Sequence, residues 1–429
     1  MGRAAHLRDR DGPRPLTART TLPTMDGAVL RRSRVLAAVL LAALAAPAAA
    51  AASLRQRLDR ALRVQGVSLA ASGAEVVDLE TGRTVFAHNA TRPLLPASNE
   101  KLAVTYAALT GLGPGFRIET DVLGDGAQAG PVWRGALVLK GYGDPSLSSH
   151  DLAVLARRVR ADGIARVTGG VVGDETWFDA RRTGLGWKPS FYLEESPPLS
   201  ALIVDRGNVG HEISSDPALE AAGLFRAALA RAGVRVAGPA RVGRAAADAV
   251  PLAAVESPTV AALVRFMDRE SDNFTAEMLL KEVGAVQGEA GTTGDGLGVV
   301  IGLLTEAGVP LRGVRLVDGS GLSLLDRWTP AALVSLLRAM WDDPGVRSEL
   351  LAALPVAGRT GTLADRMRKG PARGFVRAKT GTTDDASALS GFVGDRYVFS
   401  VVQNGRPVSG PLSRLAQDRF ATVLASLAR

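Results

Sequence analysis

The sequence predicts an α+β fold: one antiparallel sheet flanked by helices, with an inserted α/β lobe. Three observations predict it. Past residue 52 the chain opens helix–strand–strand and closes strand–strand–strand–helix, so one sheet draws strands from both ends. A series of helical stretches fills the middle. Residues 116–200 differ from both, with clustered glycines and short strand-like runs. A length of 429 residues exceeds one ordinary domain of roughly 100–200 residues. A 46% hydrophobic content supplies a large core, and 22% charged is too little for a disordered chain.

The elements follow in order. Residues 53–64 read as a short helix. Residues 67–79 and 83–88 read as strands joined at Glu80-Thr81-Gly82, a hairpin turn. After Leu94-Leu95-Pro96-Ala97-Ser98 a helix is expected to about residue 112. The lobe brings turns at Gly124, Gly126, Gly130, Gly141 and Gly143, strands at 136–140 and 167–172, and a helix at 152–162. Helices are then expected at 221–232, 260–267, 273–283, 297–307 and 330–340. Strands at 374–379, 388–393 and 397–403 and a helix at 412–427 close the chain.

The net charge of +8 raises the question of nucleic acid. Its location answers it. Residues 1–53 hold eight Arg and three Asp, a local +5, and no basic run interleaved with aromatics follows. Only six of the 51 basic residues are Lys, a composition bias and not a binding surface. No nucleic-acid partner is expected. Within that leader, Arg31, Arg32 and Arg34 precede the apolar run 35–44, then Pro47 and a string of alanines to Ala52. A basic region, a short apolar region and a small-residue site make a secretory signal peptide. Residues 1–52 are expected to be leader and signal, with Met25 an alternative start and an uncleaved anchor the alternative outcome. The mature chain is expected to be exported, to the periplasm or the outer face of the envelope, with no membrane span after signal removal. Absence of Cys excludes a disulfide scaffold, cysteine catalysis, thiolate zinc sites and a lipidated N-terminal Cys.

Three short motifs carry chemistry. Ser98-Asn99-Glu100-Lys101 places a hydroxyl and an amine on one helix face. At a helix N-terminus a Ser is well placed as nucleophile, and a desolvated Lys can serve as its base. Taken alone, the same residues also read as a Ser cap with a solvated Lys. Ser271-Asp272-Asn273 lies between two expected helices. Its hydroxyl suits proton relay and its amide offers a donor and an acceptor to a peptide. Alone it also reads as a helix cap. Lys379-Thr380-Gly381-Thr382 ends an expected strand. Its cation and hydroxyls suit a substrate carboxylate, and Gly381 permits close approach. Alone it also reads as an ordinary strand end. A near copy, Arg359-Thr360-Gly361-Thr362, reads as a loop.

The three together, in this order and behind an export signal, resemble the SxxK, SDN and KTG set of penicillin-binding proteins and serine β-lactamases. Further segments narrow the resemblance. These are Val77 to Gly82 with Pro93 to Ser98, Gly141-Tyr142-Gly143-Asp144-Pro145, Val172-Gly173-Asp174 with Phe178-Asp179, Asp318-Gly319-Ser320-Gly321-Leu322-Ser323, and Val376 to Thr382. They resemble the class C low-molecular-mass penicillin-binding proteins, the D-alanyl-D-alanine carboxypeptidase/endopeptidase family, over roughly residues 54–425. Leu324-Leu325-Asp326-Arg327 departs from the polar continuation that the family often shows after DGSGLS. The insertion is also shorter than in the largest relatives.

The resemblance implies a β-lactamase/transpeptidase-like domain over 53–115 and 201–429, with an inserted subdomain at 116–200. It implies a serine hydrolase that cleaves the terminal D-Ala-D-Ala bond of peptidoglycan stem peptides, and D-Ala cross-links, with β-lactams as covalent inhibitors. Ser98 is implied as nucleophile, Lys101 as base, Ser271 and Lys379 as proton carriers, and Asn273 as the group that orients the substrate amide. Lys379, Thr380 and Thr382 are implied to hold the terminal carboxylate, with Gly381 between them, and the N–H groups of Ser98 and Thr382 the oxyanion. A β-lactamase and a catalytically idle wall-binding protein are the alternatives. No cofactor is implied. No metal is expected either, since the four His show no pair at ligand spacing.

Overall fold

The computed structural model describes residues 54–210 and 212–428. The expected leader and signal, residues 1–52, lie outside them. A helix covers residues 54–62. The main sheet runs, in spatial order, Val376–Thr382, Ala386–Val393, Tyr397–Asn404, Ser72–Asp78 and Thr84–His88, antiparallel throughout. Ser72 sits opposite Gln403 and Asp78 opposite Tyr397, so the two ends of the chain meet strand against strand. Every residue of Ala386–Val393 is buried because both faces of the sheet are covered. On one face Phe420 of the C-terminal helix Gly410–Ala428 meets Phe86 and Phe399 at ring separations of 5.4 and 6.3 Å. On the other, Ala388, Phe392, Val398 and Val402 join a core shared with Leu102, Leu279, Leu333 and Leu337.

One helix is enclosed on all sides. Asn273–Gln287 has an unbroken buried run from Phe274 to Gly284, as expected of a helix packed all round. It packs against the helix Lys101–Ala107 and carries Asn273 at its first position.

The second sheet extends further along the chain than its composition suggests. Glu119–Ala129 and Val132–Gly141 form a hairpin. Val171–Asp174 pairs in parallel with Val132–Gly141, and Ala240–Val242 in parallel with Val171–Asp174. Val250–Glu256 closes the far edge against Glu119–Ala129. Parallel neighbours need crossover helices, and Ser149–Ala161 and Pro217–Arg231 supply them. Leu155, Val159, Phe225 and Leu229 from these helices share one core with Leu137, Leu139 and Val171. The lobe expected at 116–200 thus begins a sheet that ends at Glu256. The helix expected at 221–232 is a crossover on that sheet; nothing in its amphipathic pattern says which sheet it covers. Among the described residues no helix is long and apolar enough to cross a membrane.

Candidate active site

Pro96 leads into a single 3₁₀ turn, Ala97–Glu100, that runs into the helix Lys101–Ala107. Ala97 sits at φ +46°, a left-handed conformation that costs a non-glycine residue roughly 1–2 kcal/mol. Two glycines hold it there. A Cβ on Gly321 would lie 2.0 Å from the Ala97 carbonyl oxygen. One on Gly381 would lie 3.0 Å from both the Ala97 Cβ and the Ser98 nitrogen. The DGSGLS box and the KTG strand therefore press directly on the turn that carries Ser98.

Ser98 caps nothing; the 3₁₀ turn has no side-chain cap. Lys101 is fully buried and donates to Ser98 Oγ at 3.1 Å, Asn273 Oδ1 at 2.7 Å and the Ser320 carbonyl at 2.6 Å. Burial lowers its pKa to about 8, against the opposing pull of Asp318, Asp272, Glu277 and Asp268. The solvated-lysine alternative is thereby removed.

The SDN segment divides its labour. Asp272 is the cap: its carboxylate accepts from the Thr275 N–H at 2.8 Å and pairs with Arg206 at 2.7 Å. Ser271, left-handed at φ +60°, is thereby free to face the site and accepts from Lys379 Nζ at 2.8 Å. Asn273 donates to the carbonyl and carboxylate of Glu195, at 3.1 and 3.3 Å, which fixes its Oδ1 toward Lys101.

Lys379 is likewise fully buried, and its second acceptor is the Thr380 carbonyl at 2.9 Å. Burial and then the charge of Lys101 lower its pKa to about 7; Asp268 opposes both. Asp268, buried within electrostatic reach of both lysines and held by the Thr105 hydroxyl at 2.7 Å, is itself raised to about 6 by burial, against the pull of the two lysines.

Val376–Thr382 is the edge strand of its sheet. Its outer edge is covered at one end only, where the Ala357 N–H reaches the Val376 carbonyl and the Ala378 N–H reaches the Pro355 carbonyl, each at 3.0 Å. By the two-residue repeat of a strand, Thr380 and Thr382 turn their N–H groups the same way, into open space. A cleft of about 480 Å³ lies there, lined by Ser98, Ser271, Asn273, Thr380, Gly381 and Thr382. All eight residues singled out from the three motifs thus converge, six on the cleft and the two lysines beneath it.

Sequence reasoning missed several neighbours. Thr362, from the tetrapeptide read as a loop, accepts from the Thr380 hydroxyl at 2.6 Å and lines the cleft. Its resemblance to KTGT was the available signal. Glu195, Arg366 and Arg414 also line it, and nothing in their local sequence marks them. Asp268 stands three residues before the SDN motif and was visible without a role.

The chain is similar to known proteins. The model of the D-Ala-D-Ala carboxypeptidase 3 (S13) family matches residues 54–215 and 211–427. A D-alanyl-D-alanine carboxypeptidase of Actinomadura sp. (strain R39) is 34% identical, over 98% of this chain and 92% of that one. Carboxypeptidase DacB of Mycolicibacterium smegmatis is 32% identical, over 82% and 79%. The structure of penicillin binding protein 4 of Haemophilus influenzae superposes with a TM-score of 0.76 at 21% identity, over 88% of this chain and 99% of that one. The implied α+β, penicillin-binding-protein-like fold is the observed one. The chain belongs to the D-Ala-D-Ala carboxypeptidase 3 (S13) family and is a penicillin-binding serine hydrolase of the D-alanyl-D-alanine carboxypeptidase type.

Proposed function

We propose that Ser98 is the nucleophile and Lys101 its base in cleavage of the terminal D-Ala-D-Ala bond of a peptidoglycan stem peptide. The observation that carries this is the buried Lys101 amine, 3.1 Å from Ser98 Oγ. Neutral Lys101 takes the hydroxyl proton as Ser98 Oγ bonds to the penultimate D-Ala carbonyl carbon. The N–H groups of Ser98 and Thr382 face the oxyanion. The C–N bond then breaks, and Ser271, held by Lys379, passes a proton to the departing amine. Lys379, Thr380 and Thr382 hold the terminal carboxylate, with Gly381 giving the strand its close approach, and Asn273 orients the substrate amide. Addition of water across the ester restores Ser98 and releases the shortened peptide.

The open edge at Thr380–Thr382 supports this reading, since an extended peptide can add to it as a further strand. β-Lactams present a strained amide beside a carboxylate and acylate the same hydroxyl. Residues 1–52 serve as an export signal in this reading, placing the enzyme on the wall side of the membrane. The inserted lobe is drawn as residues 119–256.

The test uses the chain from residue 53 onward, incubated with benzylpenicillin and weighed intact. A persistent adduct on the wild type and none on Ser98→Ala is the expected result. Rapid turnover of the antibiotic would point to a β-lactamase. Absence of both adduct and turnover would sink the assignment. Release of D-Ala from a stem-peptide mimic, compared with cleavage of a cross-linked dimer, measures the two peptidase activities.

A further inference from the structure

A neutral lysine amine has two hydrogens and one lone pair. For Lys101 to act on Ser98, both hydrogens must be taken by other acceptors, so that the lone pair points at the hydroxyl. The two acceptors present are Asn273 Oδ1 at 2.7 Å and the Ser320 carbonyl at 2.6 Å. Asn273 is anchored by Glu195. What anchors the Ser320 carbonyl decides whether the base is aimed.

That carbonyl belongs to the Ser320–Gly321 peptide unit. The N–H of the same unit, on Gly321, donates to Asp318 Oδ1 at 2.8 Å. In a trans peptide the C=O and N–H point in opposite directions. Lys101 and Asp318 therefore grip the two ends of one rigid plane. Asp318 is fully buried and takes three further donors on Oδ2: the Ser323 N–H at 2.8 Å, the Ser320 hydroxyl at 3.1 Å and the Trp187 indole N–H at 2.7 Å. The two preceding peptide units are fixed independently. Glu277, one turn along the helix from Asn273, accepts from the N–H groups of Gly319 and Ser320 at 3.0 and 2.8 Å. Gly319 allows this contact; a Cβ there would sit 3.0 Å from the Ala276 carbonyl.

We propose that Asp318 is a positioning residue for the reaction: through the single Ser320–Gly321 peptide unit it holds the carbonyl that aims Lys101 at Ser98. Trp187, which lies between the strands of the inserted lobe in sequence, sets Asp318 in turn and couples that segment to the base. The inference rests on Ser98 and Lys101 acting as nucleophile and base.

The test is the rate of acylation by benzylpenicillin against pH, with the final extent of labelling, on the full chain. The titratable groups around Lys101 are Asp318, Asp272, Glu277, Asp268, Glu100 and Lys379. Asp318→Asn removes one negative charge and one set of lone pairs. Acylation should slow by about 10²-fold, the scale of a misaimed reacting group. Its rise with pH should move down by about one unit, because a stabilising anion near the ammonium is gone. Labelling should still reach completion. Wild-type rates would overturn the proposal, as would uniform slowing with the rise unmoved. If Asp318→Asn does not fold, Trp187→Phe decides: slower but complete labelling supports the proposal, and an unchanged rate overturns it. Adduct on Ser98→Ala would instead defeat the assignment of the nucleophile, separately from this one.

Discussion

Two tetrapeptides of almost the same sequence meet at the cleft. Lys379-Thr380-Gly381-Thr382 lies in an edge strand; Arg359-Thr360-Gly361-Thr362 runs from a turn into a 3₁₀ helix at Gly361–Leu363. Their threonines touch, Thr380 Oγ1 to Thr362 Oγ1 at 2.6 Å. Their glycines serve different needs. Gly361 is left-handed at φ +57°, and a Cβ there would come within 2.6 Å of the Arg269 carbonyl. Gly381 has ordinary strand geometry and is small because Ser98 is against it. Their cations differ most. Lys379 is fully buried and feeds Ser271, whereas Arg359 is exposed beside Gly374. A motif is thus defined by what its side chains are enclosed with.

Substitutions that exchange the two contexts should separate them. Lys379→Arg should have the largest effect, lowering acylation by about 10²–10³-fold, the scale of losing one preorganised donor. A guanidinium is larger and cannot shed its proton in this pH range. With Lys101 needed neutral and Lys379 cationic, wild-type acylation should rise and then fall with pH around 7–8. Those apparent values belong to the coupled pair. In Lys379→Arg the falling limb should vanish from the residual rate, and a retained limb would refute Lys379 as its source. Arg359→Lys should change acylation by less than about threefold, as surface substitutions do.

Gly381→Ala comes next. Its Cβ displaces the Ser98 turn, and acylation should drop by about 10²-fold with little loss of melting temperature. Gly361→Ala should show the reverse, a loss of about 1–2 kcal/mol in urea unfolding with smaller kinetic change. If the two glycine variants gave the same profile, the contrast between them would fail. A smaller effect than either lysine or strand-glycine change is expected from Thr362→Val, about 1 kcal/mol from one hydroxyl contact, read as a few-fold slower acylation.

Much of the main sheet was legible because its signals are local. The turn at Glu80-Thr81-Gly82 and the closing strands carry their own pattern, and the three motifs carry their own spacing. The lobe's extent was not legible, since Pro217–Arg231 is amphipathic whichever sheet it covers. The cleft was legible where one short motif brings its own residues together, as at Ser98 and Lys101. It was illegible where a partner arrives from far along the chain. Glu195 reaches Asn273 across 78 positions, and Trp187 reaches Asp318 across 131. Glu277 was hidden differently: it works on backbone amides, which leave no trace in residue type.

The pairing of Ser72–Asp78 with Tyr397–Asn404 has a consequence for how the enzyme is made. Asn99 and Lys379 bond across 280 positions. At about 5–20 residues per second, the strand that completes the cleft is synthesised on the order of 15–60 s after Ser98. A growing chain therefore carries Ser98 without the groups that arm it. Any product truncated before Lys379 lacks the strand edge altogether, and with it the Thr380–Thr382 side of the cleft.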